Sequence, residues 1–462
     1  MLRPETALAP EASEATMKQP LPLLAVLALG ALALVPTPCR ASGAEPPADF
    51  PFAQGDRVDF AARKTLQPWV PAPIWAHRDL YFYDGMDMEI GPTERDYRPP
   101  ALYRKASQAN RGRARLGPDG SLLGYRGGQP FPMDAVECQD ADAGSKIIWN
   151  FNYRWQGFGA EAHFRYTYWD RGEQLPLTYQ GMTSAYFLKY RLEPQFASQG
   201  GDVFKGERRF AVIGFQVEKP EEAKGTRTLT YRYAASLGPR ATAQPEDTWI
   251  YNRDIRRIRK ISETQRSAAV AGTDFSFDDL FSFSGLPAQY RWKCLRETWV
   301  LAPMNTRRLG FPYVEPRQSD RSFGPSGFSY ASDRWELRRA VVLEMVPKDP
   351  THPYQKKELW LDRQTLSPLY SFAYDRTGAL WKLTLHDHRW SEDDLDGIAA
   401  REWYPGWEGV DEPRDLRVVS ESIANVQTGT GNRLDFWDSH GTMPRRGDLR
   451  RYIDVQRLRR GR

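Results

Sequence analysis

The sequence predicts a mainly β protein built as a meander of antiparallel strands. The chain has 462 residues, among them 15 Trp, 22 Tyr and 22 Phe, and aromatic residues are enriched in strands. Its 35 Pro and 36 Gly are spread along the length, which leaves little room for long helices. Segments of alternating apolar and polar residues also follow one another without the intervening helices that a parallel sheet requires.

Strand signals arrive in series from about residue 143. In residues 226–233, Leu229 and Tyr231 share one face while Thr228 and Thr230 share the other, as the two-residue period of a strand demands. Residues 375–378 (Asp-Arg-Thr-Gly) form a predicted hairpin turn with its glycine in place. The predicted strands are 148–155, 163–168, 210–217, 226–233, 249–261, 335–346, 357–362, 369–374 and 380–386.

The N-terminal segment decides the compartment. Lys18 precedes an apolar stretch at residues 21–35, and the small residues Ser42, Gly43 and Ala44 follow it. This order is typical of a secretory signal peptide cleaved near Ala44, because the apolar stretch is short for a membrane-spanning anchor, which is the alternative. We therefore expect a soluble protein exported to the periplasm.

The charge and the cysteines fit an exported protein. The formal net charge of +5 is mild; it suits an anionic lipid surface, and no motif for nucleic-acid binding accompanies it. Arg256, Arg257 and Arg259 crowd one predicted strand and are candidates for binding a phosphate or carboxylate headgroup. Cys138 and Cys294 remain after processing and can pair in an oxidising compartment, but their spacing does not decide whether they do.

Several segments, in order, carry a family resemblance. They are YRGGQPFP at 125–132, AGSKIIWNFNYRW at 143–155, TWIYNRDIRRIRKI at 248–261 followed by QRSAAVAGTDFSFDDL at 265–280, and residues 357–385. This order resembles an uncharacterised family of Gram-negative periplasmic proteins related to the outer-membrane lipoprotein-sorting carriers of the LolA and LolB type. The resemblance covers roughly residues 95–390.

The resemblance implies a fold, an activity and partners. The fold is an antiparallel sheet curled into a half barrel, with short helices or loops over its concave face. The activity is non-covalent carriage of a lipid or other hydrophobic ligand for envelope transport or outer-membrane sorting. The implied partners are an inner-membrane transporter of the resistance-nodulation-division type and an outer-membrane barrel. We expect a monomer without a cofactor or a metal.

Four regions follow from these observations. Residues 1–44 are an upstream extension and signal peptide, and 45–130 are an irregular Pro-rich arm. Residues 131–400 are the half-barrel domain that resembles lipid carriers, and 401–462 are an irregular basic tail.

Large aromatic side chains on the inner face of a curled sheet would line an apolar cavity. The same side chains could instead fill a packed core. The candidate ligand-binding residues are Trp149, Phe151, Tyr231, Trp249, Tyr251, Phe275, Phe277, Trp299, Trp360 and Trp381.

Other functions remain open at this point. Asp278 and Asp279 could serve a secreted glycan-active enzyme as a carboxylate pair, but the favoured interpretation of this segment is that Thr273 or Asp274 caps a short helix. His386 and His388 are two residues apart and could share a metal, but an exposed strand end explains them as well. A glycan-binding protein or a structural envelope subunit with a filled core are the remaining alternatives.

Overall fold

A computed structural model of the chain describes residues 45–169, 177–235, 244–306, 324–393, 410–440 and 446–460. These residues are mainly β and form a large curled sheet that does not close into a barrel. The predicted fold class is therefore confirmed. The predicted signal peptide and its cleavage site lie outside the described residues.

The strands are short in the N-terminal arm and long in the body of the protein. They are β1 Arg57–Asp59, β2 Asp87–Ile90, β3 Arg115–Leu116, β4 Leu122–Leu123, β5 Gly159–Trp169, β6 Leu177–Phe187, β7 Arg209–Lys219, β8 Arg227–Tyr233, β9 Asp247–Asn252, β10 Arg257–Ile261, β11 Tyr290–Pro303, β12 Arg334–Pro347, β13 Tyr354–Asp362, β14 Pro368–Asp375, β15 Leu380–Trp390, β16 Leu416–Asn425 and β17 Thr430–His440. The α-helices are α1 Ala72–Ala76, α2 Ala101–Ala109, α3 Ala143–Asn152, α4 Glu263–Arg266 and α5 Arg446–Tyr452.

Fifteen of the strands form one sheet in the order β1-β2-β12-β13-β14-β15-β16-β17-β5-β6-β7-β8-β9-β10, with β11 also paired to β12. Neighbouring strands are antiparallel, except that β2 runs parallel to β12. The contact between β17 and β5 joins the C-terminal strands to the first long strand of the body. No helix among the described residues is long and apolar enough to cross a membrane.

The strands β12–β14 are buried on both faces. On β13, Trp360 packs into a cluster with the N-terminal arm, whereas its neighbours Leu359 and Leu361 pack beneath α3. This alternation follows from the two-residue period of a strand. Cys138, which precedes α3, forms a disulfide with Cys294 on β11 across a Cα–Cα distance of 5.2 Å.

The C-terminal residues cover one face of β6–β9. Val212 and Leu229 pack there against Leu449 of α5. On β8, Thr230 and Arg232 point to the opposite face, where Thr230 lies 3.0 Å from the hydroxyl of Thr248 and Arg232 donates to Ser284. The predicted alternation of β8 is confirmed.

The predicted strand at residues 148–155 is wrong. Helix α3 occupies Ala143–Asn152 instead. Ile147, Ile148 and Phe151 are spaced for one face of a helix, and that face packs into the cluster beneath α3. A short apolar run fits the period of a strand and that of a helix, and here packing against the sheet stabilises the helix.

The predicted strand at residues 249–261 is in fact the hairpin of β9 and β10. The Asn252 side-chain oxygen accepts hydrogen bonds from the backbone N–H groups of Asp254 and Ile255. Such a side chain imitates a backbone turn, and Arg256 completes the reversal with a φ of 48°.

The arm and the tail are more regular than predicted. The arm supplies β1 and β2 to the sheet, and the tail supplies β16 and β17. Leu434 and Phe436 on β17 pack against Phe164 of β5. Pairing with β5, more than 250 positions earlier in the chain, stabilises this segment, and the tail's own composition does not reveal that pairing.

Candidate functional site

A hollow lies on the face of β5–β7 that is not covered by α5. Its floor follows from the strand register: Ala160 is paired with Ala185, and Ala162 with Thr183. Short side chains at directly opposed positions leave space above the sheet, because each pair brings Cβ atoms close together without filling the layer above them. We call this space the apolar hollow.

Larger side chains form the walls of the apolar hollow. They are Phe187, Ile213, Phe215, Leu280, Phe281, Leu416, Val418, Val419 and Phe436. The cavity volume is about 130 Å³, slightly less than the roughly 150 Å³ of an engineered cavity that binds benzene. A space with such walls favours an apolar ligand, because few polar groups are available to hold water there.

One edge of the apolar hollow is a kinked 3-10 segment, Phe277–Ser282, which we call the strap. Ser276 and Asp279 form a capping box at its start. Phe281 and Ser282 have φ values of 53° and 66°, conformations that cost free energy for residues other than glycine. Other contacts must hold the strap in this shape.

Asp279 provides the strongest of these contacts. Its carboxylate accepts hydrogen bonds from Lys357 at 2.8 Å, from Lys382 at 3.0 Å and from the Tyr354 hydroxyl at 2.8 Å. Burial alone would raise the pKa of Asp279, but the two lysines outweigh burial and hold this pKa well below its ordinary value. Asp279 is therefore a buried anion that ties the strap to β13 and β15.

Asp278, the neighbouring carboxylate, faces a second set of partners. Arg266 lies 3.3 Å away and also forms an ion pair of 2.9 Å with Glu246. Ser267 donates a hydrogen bond of 2.5 Å to the same carboxylate. Both carboxylates of the candidate glycan-active pair are thus bound to cationic and hydroxyl groups of the protein itself.

Three arginines stand at the rim of the apolar hollow: Arg154, Arg232 and Arg417. Arg232 is paired with Glu246 at 2.8 Å. Arg417 is paired with Asp415 at 2.7 Å. The rim is therefore polar, whereas the interior is apolar.

The predicted aromatic residues do not converge on one surface, and none of the ten lines the apolar hollow. Trp149 and Phe151, both on α3, enter separate core clusters. Trp299 and Trp360 pack on the side of the N-terminal arm. Their role in ligand binding stays a prediction.

The remaining predicted aromatics are also distributed among clusters. Tyr231 and Trp249 contact each other at a ring-centroid distance of 4.7 Å, and Tyr251 lies in the same cluster with α5. In the strap region, Phe275 packs on Tyr166 at 5.7 Å and Phe277 is half-buried. Trp381 packs on Tyr354 at 5.5 Å.

The predicted headgroup arginines lie on the β9–β10 hairpin. Arg256 is in the turn, and Arg257 and Arg259 are on β10; all three are exposed. None of them lines the apolar hollow. Their binding of a headgroup stays a prediction as well.

The expectation of an exposed strand end at residues 386–388 is wrong. β15 continues to Trp390, and His386, Asp387 and His388 are completely buried. A register shift between Asp387 and His388 breaks the alternation, and His386 lies 3.4 Å from Ser282 whereas His388 lies 3.2 Å from the Pro303 carbonyl. Within the described ranges, no group of three or more potential metal ligands is positioned to hold an ion.

The residues that form the apolar hollow are not among the predicted ligand-binding residues, because that prediction rested on large aromatic side chains. The sequence does contain a pattern that indicates the hollow: Ala160, Ala162 and Phe164 share one face of β5, so two small side chains lie beside an aromatic one. Small residues at alternate positions of an aromatic strand indicate open space above it.

Comparison with known proteins places the chain in a family. The sequence model of a family described as "Protein of unknown function (DUF1329)" matches residues 78–418. The chain belongs to this family. The match includes α3, the strap and the strands β5–β8, and the predicted membership of an uncharacterised family is confirmed.

The individual relatives are distant. An uncharacterized protein of Pseudomonas aeruginosa is 22% identical over 308 residues, which cover 65% of this chain and 62% of that relative. A DUF1329 family protein from Desulfovibrio piger is 15% identical, with a TM-score of 0.43 over 69% of this chain and 98% of its own. A Vibrio parahaemolyticus domain provisionally named for outer membrane lipoprotein sorting is 18% identical, with a TM-score of 0.44 over 69% of this chain and all of its own.

Proposed function

We propose that this protein is a carrier that holds a lipid or another hydrophobic molecule non-covalently in the apolar hollow. The observation that carries the proposal is the pairing of short side chains, Ala160 with Ala185, beneath a wall of larger apolar side chains. A packed core would fill such a layer, because interiors are normally close-packed. Here the strap and β16 border the space without filling it.

The size of the hollow sets the expected affinity. Space of this size accommodates about six carbon atoms, the end of an alkyl chain. Burying about six methylene groups contributes at most about 5 kcal/mol, and the loss of translational and rotational freedom opposes it. We therefore expect dissociation constants of about 0.1 mM or weaker, which suits a molecule that must also release its ligand.

The compartment is part of the proposal. The signal-peptide pattern indicates export, and the Cys138–Cys294 disulfide is of the kind that persists in oxidising compartments. We propose the periplasm as the working location, with cleavage near Ala44. N-terminal sequencing of the periplasmic fraction tests this directly. The association with a resistance-nodulation-division transporter and an outer-membrane barrel stays a prediction.

The decisive experiment measures binding of N-phenyl-1-naphthylamine, an uncharged probe that fluoresces in apolar surroundings. The wild type should bind the probe and release it on addition of decanol. Ala185→Trp places an indole in the apolar hollow and should weaken probe binding at least tenfold while the melting temperature stays close to that of the wild type.

Ala197→Trp is the matched control, because Ala197 is an exposed residue outside the apolar hollow. This variant should bind the probe as the wild type does. The proposal fails if the wild type does not bind the probe, or if the two tryptophan variants bind it equally well.

A further inference from the structure

Arg154 stands between two cavities. It follows α3 directly, donates a hydrogen bond of 2.9 Å to the Phe151 carbonyl and lies 4.2 Å above the Phe151 ring. Its side chain lines the apolar hollow and also a neighbouring cleft of about 520 Å³. We call this second space the arginine cleft, and the two cavities share Arg154, Ser367 and Leu416 as lining residues.

Arg154 has no carboxylate in direct contact among the described residues, and Asp415, which acts on it at longer range, is paired with Arg417. Arg232 and Arg417, the other arginines of the apolar hollow, each have a carboxylate partner within 3 Å. Within the described ranges Arg154 forms no ion pair, and the hydrogen bond of its guanidinium goes to the Phe151 carbonyl. Burial lowers the pKa of Arg154 to about 9, so the guanidinium remains charged at neutral pH.

A poorly solvated cation with no counter-ion in contact raises the free energy of the folded protein, and a bound anion would lower that free energy. The residues that line the arginine cleft also favour a bound anion. Arg98, Arg104 and Arg111 line it together with Arg154, whereas Asp134 is the only acidic residue in its described lining. Asp134 is already paired with Arg111 at 2.9 Å, and Arg98 is paired with Asp96, which is outside the lining, at 2.6 Å.

Arg104 leaves a second cationic group available in the arginine cleft. Its Nε donates to the Pro99 carbonyl at 3.1 Å, and it forms no ion pair with a described carboxylate. The cleft therefore contains two cationic side chains, Arg104 and Arg154, that no described carboxylate contacts.

We propose that the ligand is an anionic amphiphile: its apolar part occupies the apolar hollow, and its carboxylate or phosphate group lies against Arg154 in the arginine cleft. This assignment rests on the proposed carrier function and adds the chemical class of the ligand. The planar guanidinium presents parallel N–H donors that match carboxylate and phosphate oxygens. The aliphatic part of such a ligand would extend over the floor formed by Ala160 and Ala185.

The test compares ten-carbon competitors that differ only in their head group, each displacing N-phenyl-1-naphthylamine from the wild type. Decanoate or decyl phosphate should bind about tenfold more tightly than decanol, because a hydrogen bond to a charged group contributes more than one to a neutral group. Decyltrimethylammonium should bind more weakly than decanol. Inorganic phosphate, which lacks the apolar part, should leave the probe bound.

Arg154→Gln should remove the preference for the anion while leaving decanol affinity unchanged, and Arg154→Lys should retain part of that preference. Arg291→Gln is the control, because Arg291 is an exposed arginine without a described ion-pair partner that lines neither cavity. The circular dichroism spectrum and melting temperature establish whether each variant is folded.

The competitor series on the wild type decides the question even if Arg154→Gln does not fold. Equal affinities for decanoate, decyl phosphate and decanol, or a preference for the ammonium compound, overturn the anionic assignment but leave the carrier proposal intact. If decanol and the probe also fail to bind, the carrier proposal itself is wrong. A folded Arg154→Gln variant that keeps the full anion preference also overturns the role of Arg154.

Discussion

Ala160 on β5 lies directly opposite Ala185 on β6 in the antiparallel register. Both methyl groups face the apolar hollow, so the two residues share the space above them. A single larger side chain can enter this space, but two larger side chains must compete for it.

We therefore predict that Ala160→Leu and Ala185→Leu cost little stability when made separately. The double variant should be less stable than the sum of the two changes by about 1 kcal/mol or more, as expected for neighbouring residues that share a cavity. Urea unfolding of the four proteins measures this coupling. Strict additivity would mean that the two side chains do not share a space, and pairing either change with Ala197→Leu supplies an additive control.

Asp279 is predicted to be essential for the position of the strap. Asp279→Asn removes the one anion between Lys357 and Lys382, leaving two buried cations without their partner. Breaking a buried pair in this way costs roughly 3–5 kcal/mol. The midpoint of urea unfolding should fall accordingly, and probe binding should weaken because Leu280 and Phe281 follow Asp279 in the strap.

Asp254→Asn makes the same chemical change in the exposed turn of the β9–β10 hairpin. Its effect on stability should stay within about 0.5 kcal/mol. Similar losses for both variants would show that Asp279 does not have the special role assigned to it.

Glu336 should make stability depend on pH in the neutral range. It is buried, accepts a hydrogen bond of 2.6 Å from Tyr97 and lies 3.7 Å from Arg338. Burial raises the pKa of Glu336 from 4.5 to about 7, although Arg338 acts in the opposite direction. The folded protein binds this proton more tightly than the unfolded chain does. The contribution of Glu336 to stability is therefore largest below pH 4.5 and falls as the pH rises towards 7.

The loss attributable to Glu336 between pH 4.5 and 7 is about 3 kcal/mol for such a shift. Glu336→Gln keeps the oxygen that accepts from Tyr97 but cannot ionise. The difference in unfolding free energy between the variant and the wild type, measured by urea unfolding from pH 4.5 to 8, should therefore grow up to pH 7 and then stay constant. A difference that is independent of pH would contradict the assignment.

The local periodicity of the sequence predicted much of the sheet. The segments 210–217, 226–233 and 335–346 lie within β7, β8 and β12 almost residue for residue, because alternation and turn residues are local properties. Helix α3 was missed since a short apolar run fits both a strand and a helix. The contact of β17 with β5 depends on residues far apart in the chain, and no local pattern records it.

The candidate site was harder to predict than the fold. Large aromatic residues can line a cavity, but most of those predicted to bind the ligand fill the clusters on the two faces of the sheet. The apolar hollow is instead defined by the short side chains of Ala160, Ala162 and Ala185, and a cavity of this kind depends on register. Arg154 stood within a family-like segment, but its lack of a contacting carboxylate became visible only with its neighbours in place.

The last prediction separates a core aromatic residue from one that borders the apolar hollow. Trp360 is buried against Tyr370 and Phe372 on the side of the N-terminal arm, whereas Phe281 is half-buried in the strap and lines the hollow. Trp360→Ala should cost about 3–5 kcal/mol, as expected for truncating a large core side chain, and any molecules that remain folded should bind the probe with wild-type affinity.

Phe281→Ala should show the opposite pattern. Its ring packs at 5.9 Å from Phe436 and has open space on its other side, so its truncation should cost less stability than that of Trp360. Probe affinity should fall several-fold because one wall of the hollow is removed. Urea unfolding measures the stability of both variants, and probe titration measures their affinities for the probe. The opposite result would be that folded Trp360→Ala binds the probe more weakly while Phe281→Ala binds it normally. The ligand would then lie on the face of the sheet that packs against the N-terminal arm, and Trp360 would be a ligand-binding residue as the sequence predicts.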